Sequence, residues 1–398
     1  MRILFLLTQD LESPSGLGRY LPLAQELVRS GHQVKIAALH SNYRKLTSRR
    51  LNIKGVDVHY VAQMHVKKQG NIKTYFSPFQ LAYIMLKATF MLTISALGNP
   101  ADLIHIAKPH PMNGIAGIIA KWLQGKQLFL DCDDYEAASN RFGNRWQQSI
   151  IAFFEKRIPM HAKIITTNTH FMEQKLISWG IQKEKIVYLP NGIDPNRFPI
   201  PNKATLETLK NQINIQNRKV VAYIGTISLP SHPIDLLLRA FPDVLNKVPD
   251  SVLMIVGGGE DIPVLEQLAI ELEIQDFVHF IGRVPPEDVY LYYGLSDVTV
   301  DPVHDDDTAR CRSPLKLFES WICGVPFVSM AVGDRTQLLG FPPSGILIDT
   351  NNPSHLAQNL IKILETPLLA HELSERGLNK VQQYHWGLLS QTLSEKYV

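Results

Sequence analysis

Short apolar segments alternate with segments of helical periodicity along the whole chain. The apolar segments are as long as strands and have few polar positions, which is typical of parallel strands covered by helices on both faces. In the first half of the chain, the predicted strands are Ile3–Leu7, Val34–Leu39, Asp57–Val61, Leu103–Ile106, Gln127–Asp131, Ile164–Thr167 and Ile186–Leu189. Helical patterns lie between them at Gly18–Ser30, Phe79–Leu97, Met112–Leu123, Arg145–Arg157 and Phe171–Trp179.

The alternation pauses after Pro190 and resumes near Val220. The intervening residues are polar and contain prolines, so we predict a linker over 196–218 between an N-terminal domain, 1–195, and a C-terminal domain, 219–385. The second series has strands at Val220–Ile224, Val252–Val256, Val278–Ile281, Val298–Pro302 and Pro326–Ser329, and helices at Pro233–Lys247, Ile262–Leu272, Pro286–Gly294 and Pro314–Cys323. This pattern predicts an α/β protein of two Rossmann-like domains with parallel sheets facing across a cleft, where a ligand lies beyond the carboxyl ends of the strands.

The composition excludes several classes of protein. Forty Lys and Arg residues against 37 Asp and Glu residues give a net charge of +3, which is too small for a general nucleic-acid binder. The three cysteines, Cys132, Cys311 and Cys323, are odd in number and lack a C-x-x-C spacing, so we expect neither a zinc ribbon nor a disulfide framework. These thiols, and an N-terminus that does not read as a signal peptide, predict a reducing, cytoplasmic location.

The segment 310–326 carries the strongest chemical signal. Ser313 is a good N-cap and Pro314 a good first residue of a helix. The amides of Leu315 and Lys316 are then free to bind an anion. The Lys316 ammonium in the first turn opposes the helix dipole, at a cost of about 0.3–1 kcal/mol. A bound diphosphate would remove that conflict.

Glu319 lies one turn after Lys316 on the same helix face, where its carboxylate could accept hydrogen bonds from two sugar hydroxyls. Arg310 and Arg312 could add positive charge nearby. The alternative interpretation is a capped surface helix, in which the Lys–Glu pair contributes only about 0.2–0.5 kcal/mol.

With other motifs, this segment resembles the nucleotide-sugar site of retaining glycosyltransferases of family 4, which have the GT-B fold. The Ser-Pro-Leu-Lys-Leu-Phe-Glu sequence at 313–319 is similar to a common variant, and the family's small-Gly-x-Pro turn follows at 323–326. The other matches, in chain order, are Gly16-Leu-Gly-Arg19, Gly31-His32, Leu189-Pro-Asn-Gly-Ile-Asp194, Val256-Gly-Gly-Gly-Glu260, Gly282, Ser296-Asp297 and Trp386. Their order covers essentially the whole chain and implies that the last helix, 386–398, crosses back to the N-terminal domain.

The resemblance implies a role for each matched residue. Glu319 would bind the ribose hydroxyls, and Lys316 with the helix start at 313–316 would hold the diphosphate. The other implied positions are Gly16 and Gly18 for the approach of backbone to the sugar phosphate, Gly225 at the end of the first strand of the second domain, Gly282 and Arg283 for the base, and Asp133 and Asp134 for the acceptor and the transferred sugar.

Three positions depart from the family pattern. Cys311 stands where the family has the first Glu of a pair, and Thr226 and His232 replace an Arg and a Lys that neutralise the leaving diphosphate. Loss of one such group can cost about 10²–10³ in rate. We expect the positive charge to have been relocated instead. The candidates to carry it are Lys316, Arg312, Arg310 and protonated His232.

The resemblance implies a retaining hexosyltransferase that moves a sugar from a UDP or GDP donor to a hydroxyl of a glycan, lipid-linked or small-molecule acceptor. Donor charge would be held without a metal or other cofactor. A non-catalytic nucleotide-sugar-binding protein and an NDP-sugar epimerase on the same fold stay open as alternatives. Asp-x-Asp pairs at 131–133 and 305–307 have the carboxylates that Mg²⁺ prefers, but the two-domain layout argues against that use.

A basic region precedes the most apolar stretch of the chain. Residues 41–73 contain eight Lys or Arg residues and one acid, Asp57, and the apolar stretch Tyr75–Leu97 follows. Lys87 within that stretch makes a spanning helix costly. One interpretation is peripheral docking on an anionic membrane at its inner face. The other is a solvated face beside a buried helix.

Overall fold

The computed structural model describes residues 1–69, 72–139, 144–349 and 352–397. The chain divides into two compact units. The N-terminal unit consists of Met1–Gly192, Cys311–Ser313 and Trp386–Val398, and the C-terminal unit of Ile193–Arg310 and Pro314–His385.

The strands of the described residues are β1 (Arg2–Leu7), β2 (Gln33–His40), β3 (Arg50–Ile53), β4 (Val56–Gln63), β5 (Val66–Gln69), β6 (Ile72–Tyr75), β7 (Leu103–Ala107), β8 (Gln127–Cys132), β9 (Ile164–Thr167), β10 (Ile186–Tyr188), β11 (Lys219–Ile224), β12 (Ser251–Val256), β13 (Val278–Gly282), β14 (Val298–Asp301), β15 (Phe327–Met330) and β16 (Ile346–Ile348). The helices are α1 (Leu21–Arg29), α2 (Pro78–Gly98), α3 (Pro111–Gln124), α4 (Glu136–Ser139), α5 (Arg145–Arg157), α6 (His170–Ser178), α7 (Lys203–Gln212), α8 (Ile234–Lys247), α9 (Ile262–Glu271), α10 (Val289–Leu295), α11 (Asp307–Arg310), α12 (Leu315–Ile322), α13 (Arg335–Leu339), α14 (Pro353–Glu365), α15 (Pro367–Val381) and α16 (Trp386–Tyr397).

The N-terminal unit is built on one sheet with the strand order β10-β9-β8-β7-β1-β2-β4-β3. Its strands are parallel except for β3, which pairs with β4 in the antiparallel sense. Helices cover both faces, so successive residues of a central strand are buried on opposite sides. On β1, the side chains of Phe5 and Leu7 pack with α1 and α16, whereas those of Leu4 and Leu6 pack with α2 and α3.

The C-terminal unit repeats this design with a parallel sheet in the order β13-β12-β11-β14-β15-β16. On β11, Val221 and Tyr223 face α8, α9 and α14, and Ala222 and Ile224 face α10, α12 and α15. The prediction of two Rossmann-like halves from near-continuous apolar strands is therefore confirmed.

Several elements differ from the prediction. Residues 196–218, which we predicted as a linker, contain α7 and belong to the C-terminal unit. Leu206 of α7 packs against that unit's core, and no side chain fits at Gly294 because a Cβ there would lie 2.7 Å from Pro201. The pattern also gave no sign of the hairpin β5–β6 or of the short strands β3 and β16, which are brief or exposed.

The strand order reverses at one place in each sheet. In the N-terminal unit this is between β7 and β1, and in the C-terminal unit it is between β11 and β14. Loops that leave neighbouring strands in opposite directions open a crevice at such a point, and ligands of open α/β sheets bind there. The residues that follow β1, β7, β11 and β14 are therefore where a site is expected.

Candidate active site

Three segments meet at the reversal point of the C-terminal sheet. Gly225 follows β11, Asp301 ends β14, and Lys316 is the second residue of α12. The Lys316 Nζ lies 2.7 Å from Asp301 Oδ1, 3.2 Å from the Tyr223 hydroxyl and 3.3 Å from His232 Nδ1. The sequence predicted a cation at this helix start. In the structure, that cation pairs with a carboxylate of the same unit.

The Lys316 side chain packs directly over Gly225. A Cβ on Gly225 would lie 2.4 Å from Lys316 Cε. The turn is held in place by backbone packing, since a Cβ on Gly257 would lie 1.8 Å from the Gly225 carbonyl oxygen and one on Gly259 would lie 1.6 Å from that of Ile227. The glycine run 257–259 thus packs directly against the backbone of residues 225–227 and supports the site.

Asp301 is shared between two cations. Its Oδ2 accepts a hydrogen bond of 2.9 Å from Arg335 Nη2, and Arg335 Nε donates to Ser329 Oγ at 3.1 Å. Burial alone would raise the pKa of Asp301, but Lys316 and Arg335 outweigh it and hold that pKa well below the ordinary value. Burial lowers the pKa of Lys316 and the charge of Asp301 raises it. The net shift is upward. Two full cations around one carboxylate leave a surplus of positive charge.

Glu319 lies one helical turn beyond Lys316 on α12. Its Oε2 accepts a hydrogen bond of 2.9 Å from the hydroxyl of Tyr293, which is buried on α10. Burial raises the pKa of Glu319, and the Tyr293 hydrogen bond and the charge of Arg197 oppose that shift. A partly exposed carboxylate fixed on one oxygen is suited to bind a polar ligand with the other.

The other residues predicted for the donor lie around this cluster or apart from it. Gly282 ends β13 with a φ of +80° and its carbonyl accepts from the amide of Gly257 at 2.8 Å. The Arg283 side chain is exposed. Thr226 accepts a 2.6 Å hydrogen bond on its carbonyl from the Tyr223 hydroxyl. Arg310 pairs with Asp305 at 2.8 Å on the surface, whereas the Lys316 ammonium contacts Asp301, Tyr223 and His232.

The start of α12 differs from the prediction. Pro314, rather than Ser313, is the N-cap, and Leu315 is the first helical residue. Ser313 belongs to the N-terminal unit, where its hydroxyl accepts a hydrogen bond of 3.2 Å from the amide of Asn191. The prediction that Ser313 caps the helix was wrong, because a tertiary partner takes the hydroxyl that local propensity assigned to the helix.

A second polar network follows β7 and β8 in the N-terminal unit. The Lys108 Nζ lies 2.9 Å from Glu136 Oε1, 3.3 Å from Asp133 Oδ1 and 3.6 Å from Asp134 Oδ2. Lys108 is buried and its pKa is raised well above the ordinary value, because these carboxylates outweigh the effect of burial. The structure thus brings the predicted Asp133 and Asp134 together around one ammonium.

Asp133 gives the N-terminal unit a pH-dependent stability. Burial raises the pKa of Asp133 to about 6, above its ordinary value in an unfolded chain. The folded state then binds the proton more tightly, so the free energy of unfolding falls as the pH rises between roughly 4 and 6. Between these two pH values the wild type should lose about 2 kcal/mol of its free energy of unfolding through this group, and Asp133→Asn should not show that loss. Urea denaturation at the two ends of the range measures it. The exposed Glu184→Gln is the control, and an unchanged pH profile in Asp133→Asn would contradict the assignment.

The glycine-rich loop after β1 is shaped by its own packing. Gly16–Tyr20 forms a π-helical turn, and a Cβ on Gly16 would lie 2.4 Å from the Asp10 carbonyl oxygen. The Gly18 carbonyl accepts from Trp386 Nε1 at 3.2 Å, which shows that α16 packs on this unit. Arg19 in the same turn forms a buried, two-pronged ion pair with Asp131, at 2.7 Å for each contact.

Cys311 and Arg312 pack beside Asp134 in the N-terminal unit. The Cys311 thiol donates to Asp134 Oδ1 at 3.3 Å, and its sulfur accepts from the amide of Tyr135 at 3.2 Å. Burial, followed by the charge of Asp134, raises the pKa of the thiol. Arg312 Nε lies 3.6 Å from Asp134 Oδ1. A neutral thiol therefore occupies the position where the resemblance has a glutamate.

The sequence did not predict four residues of these two polar networks, which are Asp301, Arg335, Tyr223 and Lys108. One signal was available for Asp301, because a carboxylate at the end of an apolar strand marks the carboxyl edge of a parallel sheet. Arg335 lies in α13 and gave no local signal. For metals, no cluster of three or more His, Cys, Asp or Glu side chains suited to an ion occurs within the described ranges.

Family comparisons agree with this division of the chain. Residues 15–192 match the glycosyl transferase 4-like domain, and residues 206–380 match the glycosyl transferases group 1 family. Both domains of the chain therefore match glycosyl transferase families. The boundary between the two matches falls close to the boundary between the two compact units.

Curated relatives of this chain are distant. It is 24% identical over 235 residues to the GDP-mannose-dependent alpha-(1-6)-phosphatidylinositol monomannoside mannosyltransferase of Mycolicibacterium smegmatis, an alignment that covers 58% of this chain and 59% of that protein. It is 26% identical over 252 residues to the D-inositol 3-phosphate glycosyltransferase of Corynebacterium jeikeium, covering 61% and 59% respectively. The chain thus spans 59% of the length of each of these relatives.

Solved structures show the same fold along the entire chain. HepE of Anabaena in complex with UDP aligns with a TM-score of 0.74 and 18% identity, covering 100% of this chain and 99% of that one. Sucrose-phosphate synthase from Thermosynechococcus elongatus aligns with a TM-score of 0.79 and 18% identity, covering 100% and 98%. The predicted GT-B fold is confirmed.

Proposed function

We propose that this chain is a glycosyltransferase that moves a sugar from a UDP or GDP donor to an acceptor hydroxyl with retention of configuration, as a family 4 enzyme of the Ser-Pro-Leu-Lys-x-x-Glu variant. The surplus of positive charge around Asp301 carries the proposal. Lys316 and Arg335 share that single buried carboxylate at the reversal point of the C-terminal sheet. An anion is the ligand that such a site favours, and a nucleoside diphosphate supplies one.

Lys316 is the proposed diphosphate ligand. An ammonium has three donors, and here they face Asp301, Tyr223 and His232. The His232 contact is the longest of the three, so the proposal has the diphosphate take its place. As the bond to the sugar breaks, negative charge grows on the departing diphosphate, and a fixed ammonium stabilises that charge without reorganising. Protonated His232 beside it would add a second cation in place of the family's Lys.

Asp133 and Asp134 are the proposed contacts of the acceptor and of the transferred sugar. Lys108 draws both carboxylates together at the carboxyl edge of the N-terminal sheet. Carboxylates accept hydrogen bonds from hydroxyls, which suits a glycan or a lipid-linked polyol. The names of two relatives support this acceptor class, since one acts on a phosphatidylinositol monomannoside and the other on inositol phosphate.

The donor charge is proposed to be held by side chains and helix amides, with no metal or other cofactor. Lys316, Arg335 and His232 would carry the positive charge that a divalent cation supplies elsewhere. The reaction is proposed to take place in the cytoplasm, in line with the free thiols Cys132, Cys311 and Cys323.

Donor binding and turnover test the proposal separately. A nucleoside diphosphate at 100 times its Kd adds about 2.7 kcal/mol to the free energy of unfolding, so UDP or GDP should raise the melting temperature, whereas AMP should not. NMR of the product of a UDP- or GDP-sugar incubation reports the anomeric configuration. Binding without turnover would indicate the non-catalytic alternative that Cys311 and Thr226 raise. An isomerised sugar would indicate an epimerase.

Glu319→Gln tests the ribose contact. The variant keeps the shape of the side chain and the Tyr293 hydroxyl as a partner but removes the charge that strengthens a hydrogen bond from a sugar hydroxyl. We expect the Kd for the nucleoside diphosphate to rise about tenfold or more, measured by titration calorimetry, with an unchanged melting temperature. Glu372→Gln, a surface glutamate of α15, is the control. Equal affinity in wild type and Glu319→Gln would place the nucleotide elsewhere.

A further inference from the structure

We infer that the outer face of α2 docks on an anionic lipid surface. The side chains of one row on this helix are largely exposed, with fractions of 90% for Phe79, 63% for Tyr83, 73% for Leu86, 63% for Phe90 and 48% for Ile94. The spacing of four, three, four and four residues keeps all five on one helix face. An apolar face of this extent facing water indicates an interaction surface.

The opposite face of α2 belongs to the protein core. Ala88, Leu92, Ser95 and Ala96 are buried there against the sheet and α3. Among the described residues, α2 is the helix that is long and apolar enough to cross a bilayer, judged by length and composition only. A helix with one face in its own core lies along a surface rather than across it, so the geometry fits interfacial docking.

The apolar surface continues onto neighbouring helices. At the end of α3, Trp122 and Leu123 are 69% and 70% exposed, and this end lies against the end of α2, because Gln124 Nε2 donates to the Leu97 carbonyl at 3.0 Å. Trp122 also stacks edge-on against His161, beside the exposed Met160. Tryptophan at the border of such a face is typical of side chains that sit at a membrane interface.

The exposed charges of α2 and α5 are positive. Lys87 is the one charged residue of α2, and α5 contributes exposed Arg145, Lys156 and Arg157. The one acid of α5, Glu155, is buried and accepts hydrogen bonds from the amides of the α4 start. Close to an anionic lipid surface, each such cation raises the binding constant by about a factor of five or more. Two copies of the same face would repel one another.

The basic segment 41–73 contributes less positive charge to this surface than its composition indicated. Lys68 pairs with Asp10 at 3.1 Å, and Lys67 lies over the ring of Phe76 at 5.0 Å. Between residues 58 and 130 the sequence has one acid, Asp102, and it is paired with Arg2. The docking surface is therefore defined by the exposed row of α2 and the exposed end of α3, and its occupant by the positive charge of α2 and α5.

Vesicle flotation with the full chain tests this inference. We expect the protein to float with vesicles of phosphatidylcholine containing about 30 mol% phosphatidylglycerol and much less with phosphatidylcholine alone, and added salt should weaken the binding. Phe79→Gln combined with Phe90→Gln should lower the bound fraction about tenfold. The matched control is Ile200→Gln with Phe341→Gln, two residues of the C-terminal unit that are 96% and 98% exposed.

The outcomes separate the docking surface from the proposed reaction. Nucleoside-diphosphate stabilisation should be the same in both double variants, because Phe79 and Phe90 lie outside the donor cluster. Loss of that stabilisation would signal a folding defect. Failure of the wild type to float on either vesicle, or equal flotation of the two double variants, would overturn the inference. So would a dimer in sedimentation that Phe79→Gln with Phe90→Gln converts to a monomer, since a second copy would then be the occupant.

Discussion

Lys316→Met should lower the rate of sugar transfer by about 10²–10³-fold. Methionine retains an unbranched side chain as far as Cε but removes the ammonium that faces the proposed diphosphate. Asp301 keeps Arg335 as its partner at 2.9 Å, so the buried carboxylate does not become an unpaired charge and the fold is expected to persist. Initial rates at saturating donor, with a melting curve of the same preparation, measure both expectations.

The control for this variant is Lys362→Met, which removes an exposed lysine of α14 in the same unit. Its transfer rate should match that of the wild type. A second variant, Gly225→Ala, pushes on the ammonium without removing it, because the new Cβ would lie 2.4 Å from Lys316 Cε. Wild-type transfer by Lys316→Met would remove Lys316 from the proposed mechanism.

Arg19→Met should lower the free energy of unfolding of the N-terminal unit by about 3–5 kcal/mol. The arginine and its partner Asp131 are each 1% exposed, and Arg19 also donates to the carbonyl of Leu189 at 3.1 Å. Removing the guanidinium leaves a charged carboxylate in the core without its cation, while the Thr166 hydroxyl and His105 remain nearby. Urea denaturation of the variant measures the loss.

The same chain offers a matched control for this prediction. Arg2 and Asp102 form an ion pair of the same chemistry on the surface, with side chains 51% and 35% exposed. Arg2→Met should cost no more than about 1 kcal/mol. If burial causes the difference, the double variant Arg19→Met with Asp131→Leu should recover much of the loss, since no unpaired charge remains. Equal losses in Arg19→Met and Arg2→Met would contradict the argument.

The sequence was sufficient to predict the two parallel sheets because burial on both faces leaves a strong apolar pattern. It was also sufficient to place Lys316 and Glu319 together, since both belong to one short helix whose periodicity fixes their spacing. Both predictions depend on residues close together in the chain. The short strands and α7 left weaker patterns, because much of their surface faces solvent.

The partners of Lys316 could not be predicted in this way. Asp301 and Arg335 lie 15 residues before and 19 residues after it in the chain, and their approach depends on how β14, α12 and α13 pack. The error at Ser313 has the same origin. Its local sequence favours a helix cap, but a hydrogen bond with Asn191, far away in the chain, decides its role.

The glycine run at 257–259 has a consequence for how the protein can change. Two carbonyl oxygens occupy the places where methyl groups would project from Gly257 and Gly259. Any side chain at either position would displace the turn after β11, and with it the backbone over which Lys316 packs. Evolution is therefore expected to keep glycine at these two positions, while neighbouring residues whose side chains have room can change.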